Sequence, residues 1–386
     1  MRSSPNEEAS FVAIDELLSE EVERAQEREN AVFDELRQLS RGKIVLFGAG
    51  RLGRKVALAL RQNGIAPLAF ADNSSKFHSA EIDGVPVVSL TTAADRWKEE
   101  ALFVVTTFRP DGGGIRARLQ EIKRLGCHKT TSFLPFGWKC EGILPHFGSD
   151  RPSRLLQNAR ELASCAGLWC DEPSRETFRQ ALAWRLRAMT GDSQAPSPDQ
   201  YFPREILRPN PEESFIDCGA FDGDTLRAAP WPFARVMAIE PDPMNAQKLR
   251  TSEKMPTQIH EVLLGHIAGS ARFNGTGSME SSRSESGVLN IAVERLDELA
   301  KFEHPTFIKL DVEGDELMAL QGGRNTLARC QPVVAVCVYH RPEDLWTIPL
   351  FLSEVMPSHR MYLRAHAWDG FELVAYAVPR ERCLSP

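Results

Sequence analysis

The sequence predicts an α/β protein built from two doubly wound domains, and three observations carry that reading. Apolar stretches of strand length alternate with amphipathic stretches of helix length over most of the 386 residues. Such alternation, with strands that are apolar throughout, marks parallel sheets covered on both faces. Twice a Gly-rich turn joins a strand to a helix, at FGAGRLG (47–53) and at DCGAFDG (217–223), and each time an acid closes the next strand, Asp72 or Glu240.

Composition and charge exclude several classes. Hydrophobic residues at 42% and charged residues at 26% lie near the average for soluble globular chains. Residues 1–40 hold four arginines and eleven acids, which accounts for the whole net charge of −7. The neutral remainder offers no electrostatic footprint for nucleic acid or an anionic membrane. No apolar run approaches the roughly 20 residues of a membrane span. MRSSPNEEAS lacks an apolar segment behind a basic start, so no secretory signal is read. The eight cysteines form no C-x-x-C pair, and the expectation is a reduced, cytoplasmic protein without structural metal.

Residues 1–40 read as an acidic amphipathic helix. Phe11, Ile14, Leu18, Val22, Ala25, Val32, Leu36 and Leu39 recur at intervals of three and four, with a weak turn near Glu29. Its apolar face either packs on its own domain or joins a second copy in a homo-oligomer. Residues 41–137 form the first domain. KIVLFGAGRLGRKVALALRQNGIAPLAFADNS gives strand, turn, helix and strand, followed by strands at 87–88 and 102–106 and a helix at 114–125. Gly48, Gly50 and Gly53 spell G-x-G-x-x-G, and Asp72 stands 24 residues beyond the first glycine. This Rossmann-like fingerprint predicts a second nucleotide site, for NAD or a nucleotide-sugar. The domain ends after about four strands, and no set of hydride-transfer residues follows.

Residues 138–200 read as a helical bridge, with helices at 152–167 and 174–189, and the polar linker GDSQAPSPDQ at 191–200. Residues 201–386 form the second domain. Strands are expected at 214–218, 235–239, 259–264, 306–310, 333–339, 361–365 and 372–377, a seven-stranded sheet whose last two strands make an antiparallel edge hairpin. Ligands of such sheets bind outside the carboxyl ends of the strands, where the strand order reverses. That rim carries Asp217, Gly219 and Gly223 after the first strand, Glu240 after the second, and Asp311 and Glu313 after the fourth.

D-x-G-x-x-x-G with a strand-end acid about twenty residues later resembles an S-adenosylmethionine-dependent methyltransferase of the class I fold. YFP (201–203), FIDCGAFDGDT, AIEPDP, VERLDEL, FIKLDVEGDELMALQGG and VCVYHRPEDLWTIP resemble the FkbM family of methyltransferases, over about residues 200–378. The resemblance implies S-adenosylmethionine held by Asp217, Gly219, Ala220, Gly223, Glu240, Pro241 and Asp311. It also implies O-methylation of a hydroxyl on a sugar, glycan or secondary metabolite. Asp311, Glu313, Gly314 and Glu316 match the family's D-x-E-G-x-E block, with Glu316 read as a first-turn acid complementing the helix dipole. Asp217 either meets the ligand or orients amides of its own loop. One departure is that no acid follows the third strand, VLLGHIAG, so adenine recognition there would rest on backbone and apolar groups.

Transfer to a hydroxyl benefits from a base. The rim offers Asp311, Glu313, His340 and His366, and His340 is the first choice because its ordinary pKa is about 6.5. Asp311, Glu313 and the histidines lack a further Asp/Asn cluster to complete a hard-cation site, so no metal is expected. Residues 274–287, between two strand-like stretches, read as a surface loop or a substrate lid. The first domain resembles nucleotide-binding modules of sugar-modifying enzymes. Rival readings are an NAD-dependent oxidoreductase or nucleotide-sugar-binding protein run by that domain, and a non-catalytic adaptor; cofactor binding discriminates them.

Overall fold

The computed structural model describes residues 12–74, 81–107, 113–190, 195–251, 256–278, 281–301 and 303–384. Phe11, positions 191–194 of the expected linker and positions 279–280 of the expected lid lie outside the described residues. The chain forms two compact units, each mixed α/β with a sheet of largely parallel strands. Unit 1 takes Met1–Ala163, Glu176–Pro196 and Ala367–Phe371; unit 2 takes Ser164–Arg175, Ser197–His366 and Glu372–Pro386. Among the described residues, no helix is long and apolar enough to cross a membrane.

Among its described residues, unit 1 holds six strands rather than about four. They are β1 (Ile44–Phe47), β2 (Ala69–Ala71), β3 (Glu81–Ile82), β4 (Val85–Val88), β5 (Leu102–Val105) and β6 (Thr130–Ser132), in the order β3-β4-β2-β1-β5-β6. All neighbours are parallel except the β3–β4 pair. The two strands that sequence patterning missed are a two-residue edge and the polar triplet TTS, both too short for periodicity to register. The N-terminal helix breaks at 19–21, not near Glu29, giving helices Ile14–Leu18 and Val22–Ser40. Ser19 ends the first by donating its hydroxyl to the Glu16 carbonyl. The second buries Ala25, Glu29, Phe33, Leu36 and Ser40, while Leu39 is half exposed. Glu29 is buried because it accepts the Ser153 N–H at 2.6 Å and the Ser153 hydroxyl at 3.2 Å. Phe33 meets Phe136 edge-on at 5.7 Å, so this stripe packs within its own unit.

Unit 2 continues with β7 (Ser214–Cys218), β8 (Arg235–Ile239), β9 (Gln258–His260), β10 (Leu263–Leu264), β11 (Gly269–Asn274), β12 (Ser282–Arg283), β13 (Leu289–Glu294), β14 (Phe307–Leu310), β15 (Val333–Cys337), β16 (Arg360–Ala365) and β17 (Leu373–Val378). Its main sheet has seven strands in the order β16-β17-β15-β14-β7-β8-β9. The five central and outer strands from β15 to β9 run parallel, and β16 and β17 are antiparallel. From β7 the chain steps outward to β8 and β9, then returns to β14 on the opposite side of β7. The order therefore reverses between β7 and β14, which places a crevice at their carboxyl ends.

The expected strand at 259–264 is split. Its first part is β9, and its second, β10, belongs to a separate sheet ordered β10-β13-β11-β12. That small sheet closes over Leu263, Phe273 and Val293. The strand-like stretches beside the expected lid are β11 and β13, which patterning did not count among the strands because each buries only one side chain in six. The expected lid thus contains a strand, and Asp242 ties it down by accepting the Gly277 N–H at 2.8 Å and the Ser281 hydroxyl at 2.7 Å.

Candidate active site

At the end of β7, Gly219 adopts φ +79°, and a Cβ placed on it would lie 1.7 Å from the Asp311 carbonyl oxygen after β14. Glycine is required there by the contact of two strand ends, a constraint independent of any ligand. Gly219→Ala is therefore expected to destabilise unit 2 by at least about 2 kcal/mol in urea unfolding, from strain and overlap together. An unchanged midpoint would show that the strand ends separate freely. Ala220 is fully buried, Phe221 has φ +47°, and Gly223, at φ +86°, caps helix Asp224–Ala228.

Glu240 ends β8 facing that turn. Its Oε2 accepts the Phe221 N–H and its Oε1 the Asp242 N–H, both at 2.9 Å. Burial pushes its carboxyl up to about 7 against the pull of those two amides. Half-buried Pro241 follows, and Asp242 caps the next helix through the Met244 N–H.

Asp217 neither orients loop amides nor faces solvent. β7 and β14 pair Asp217 with Lys309 in register, and the ammonium stands 3.0 Å from Asp217 Oδ1. The two side chains are 0% and 2% exposed. Lys309 also donates to the Gly219 carbonyl at 2.6 Å, which locks the turn. Burial opposes its charge, but Asp217 and Asp311 outweigh burial and raise its pKa.

The other wall of the crevice comes from β14 and β15. Asp311 Oδ2 accepts the Tyr201 hydroxyl at 2.7 Å, and His340 Nε2 lies 3.5 Å from Asp311 Oδ1 and 3.8 Å from Glu313 Oε2. Glu313 has φ +55° and Gly314 φ +100°, a turn conformation that aims Glu313 at the histidine. Glu316 is fully buried and reaches back, its Oε1 accepting the Val312 N–H at 2.8 Å and meeting His340 Nδ1 at 2.9 Å. It is thus a support for the histidine and the DVEG turn, beyond the dipole role read from sequence. Burial draws the His340 pKa down, yet Glu316, Asp311 and Glu313 outweigh it and hold the ring up to about 10. The expected value near 6.5 is corrected. With Nδ1 anchored on Glu316, only Nε2 is left to act as a base or a ligand, and there the proton that the carboxylates favour must first leave.

His366 is not at this wall. Its Nδ1 meets the Ser197 carbonyl and its Nε2 the Tyr376 hydroxyl, each at 2.8 Å, so both nitrogens are engaged. Tyr201 and Lys309 stood in the quoted motifs YFP and FIKL but were given no role from sequence. A lysine inside the apolar strand FIKL was the available signal, since a buried charge requires a partner.

Residues 217–367 match the model of the methyltransferase FkbM domain. Unit 2 carries an FkbM methyltransferase domain. The crystal structure of methyltransferase FkbM from Methylobacillus flagellatus KT superposes on this chain with a TM-score of 0.72 at 22% identity, covering 92% of this chain and 100% of that one. That likeness concerns the fold. Comparison with curated proteins finds no match. Within the FkbM domain, the match spans both walls of the crevice, from Asp217 through Glu240 and Asp311 to His340.

Outside the FkbM domain, the first Gly-rich turn answers to its own packing. A Cβ on Gly53 would lie 2.0 Å from the Gly48 carbonyl oxygen, and one on Gly48 2.4 Å from Thr107 Oγ1, whereas Gly50 has open space. Asp72 accepts the Ala49 and Ser74 N–H groups, each at 2.8 Å. Gly48 and Gly53 thus have structural reasons to be glycine.

Proposed function

We propose that the FkbM domain transfers a methyl group from S-adenosylmethionine to a hydroxyl of a sugar, glycan or secondary-metabolite acceptor. The observation that carries this reading is the meeting, at the strand-order reversal of an FkbM domain, of Glu240 on one wall with Asp311, Glu313 and His340 on the other. Glu240 fits the donor's ribose. Each of its oxygens accepts a single backbone N–H, which leaves each with a lone pair for one ribose hydroxyl. Gly219, Ala220 and Gly223 shape the turn beside it, and Asp217 acts indirectly by fixing that turn through Lys309.

S-adenosylmethionine supplies a methyl already activated on a sulfonium. The chain's own contribution is placement, which can lower such a barrier by roughly 7–11 kcal/mol. Asp311 and Glu313 offer carboxylate oxygens to an acceptor O–H, and Tyr201, Glu316 and His340 fix their positions.

Calorimetry with S-adenosylmethionine tests the donor side. Glu240→Gln is expected to weaken binding by about 1.5–3 kcal/mol, the range for hydrogen bonds to a charged group. Because Glu240 ionises at about 7, wild-type affinity should rise between about pH 6 and pH 8 as the acceptor pair forms, while the variant's stays flat. Equal affinities in the two folded proteins would reject the ribose assignment. Mass spectrometry of glycan and metabolite pools treated with enzyme and donor then identifies the acceptor by its gain of one methyl group.

A further inference from the structure

We propose that Asp311, Glu313 and His340 bind one divalent first-row transition-metal ion, of the Mn2+ to Zn2+ kind, at the carboxyl rim of the seven-stranded sheet. One ligand atom from each of the three lies within 4.8 Å of the other two. Two ligand atoms on a common ion at 2.0–2.2 Å are about 3–3.5 Å apart, and His340 Nε2 stands 3.5 Å from Asp311 Oδ1 and 3.8 Å from Glu313 Oε2. Both distances lie within a few tenths of an ångström of that range, and the two carboxylates lie within 4.8 Å of each other.

Proximity of two acids and a histidine is not by itself a site, and two further features point to a cation. His340 is 5% exposed, and its Nε2 makes no hydrogen bond while facing both carboxylates. Asp311 Oδ1 is buried and likewise without a hydrogen-bond partner. A buried carboxylate oxygen without a hydrogen-bond donor is costly, and an ion shared with the histidine removes that cost. The supporting shell is also that of a metal ligand. Histidines that bind metals pass the other ring N–H to a carboxylate, which fixes the tautomer, and here His340 Nδ1 meets Glu316 Oε1 at 2.9 Å. Tyr201 engages Asp311 Oδ2 and so turns Oδ1 toward the histidine.

Charge and access agree. Asp311, Glu313, Glu316 and Glu372 all act electrostatically on His340 or one another, an acidic surround for one imidazole. Asp311 and Glu313 remain 24% and 33% exposed, which gives an ion a way in. An imidazole with only two carboxylates disfavours Ca2+ and Mg2+, which take sets of oxygens, and suits Mn2+, Co2+ or Zn2+. The sequence reading weighed these acids and the histidines for a hard, all-oxygen cation, whereas an imidazole from the adjacent strand suits a softer ion. Three protein ligands leave positions for water or for an acceptor oxygen; only this last role rests on the methyl-transfer reading.

The full chain, stripped with chelator, is titrated with Co2+ and followed by its visible absorption, and the same sample is titrated with S-adenosylmethionine. One Co2+ per chain is expected, displaced by Zn2+. Glu313→Gln and Asp311→Asn should each weaken it at least about tenfold, and Glu316→Gln should weaken it about 10–100-fold and shift the Co2+ band. Glu313 is a third exposed, so its variant stays informative should a more buried one misfold. No saturable Co2+ binding by protein that binds S-adenosylmethionine overturns the metal site, as does equal Co2+ affinity in wild type, Glu313→Gln and Asp311→Asn. Stoichiometric Co2+ binding without donor binding would leave the metal site standing and reject the methyl-transfer reading.

Discussion

Lys309→Met is expected to destabilise unit 2 by about 3–5 kcal/mol, the cost of leaving a buried charge without its partner. Asp217 is fully buried, and the lysine that faces it across β7 and β14 is 2% exposed. Removing the ammonium strands the carboxylate and also deprives the Gly219 carbonyl of its donor at 2.6 Å. Because the two strand ends already meet at Gly219, loss of that donor acts on the same turn as the overlap argued for Gly219→Ala. The double variant Asp217→Asn/Lys309→Met removes both charges and should regain more than half of the loss, since a neutral buried pair carries a smaller desolvation cost. Urea unfolding of wild type, both single variants and the double variant gives the coupling directly. Additive single losses would mean that the two groups do not act as a pair.

The same strand pair shows what a sequence can and cannot display. β7, β8, β14 and β15 were legible because each is mainly apolar, and the first three end in a turn with glycine or acid, as in FIDCG and FIKLDVEG. β11 and β13 showed only as strand-like stretches beside the expected lid, since a strand that buries one residue in six carries a weak pattern. The rim residues Glu240, Asp311, Glu313 and His340 stood out because strand ends aim side chains at one place. Tyr201 did not, although its hydroxyl holds Asp311 at 2.7 Å, because it reaches the rim from 110 residues earlier in the chain. Glu316 was visible, but only one of its roles was. Its position in a helix's first turn admits a dipole role, and only the fold shows it bent back onto His340. The charge state of His340 was beyond sequence for the same reason, since three carboxylates that follow β14 set it for a ring that follows β15.

His340→Gln should reduce turnover at least about 10²-fold while leaving S-adenosylmethionine affinity within about threefold, because a misplacement of about 1 Å at reacting groups costs that much. The ring links Glu316 behind it to Asp311 and Glu313 in front. Glutamine can still donate to Glu316, but it carries no charge and offers no ring nitrogen to the two carboxylates. Asp311 and Glu313, with Glu316 and Glu372 close by, would then repel one another and leave the positions from which they meet an acceptor. Glu240 lies on β8, across the reversal point, and its two amide bonds involve only Phe221 and Asp242, so donor binding is insulated from the change. The discriminating measurement is kcat against donor KM in a variant whose thermal unfolding is still cooperative. A tenfold rise in donor KM with kcat intact would move His340 to the donor wall. Turnover within about threefold of wild type would remove it from the transfer machinery, and Asp311→Asn would then be the variant that separates the two walls.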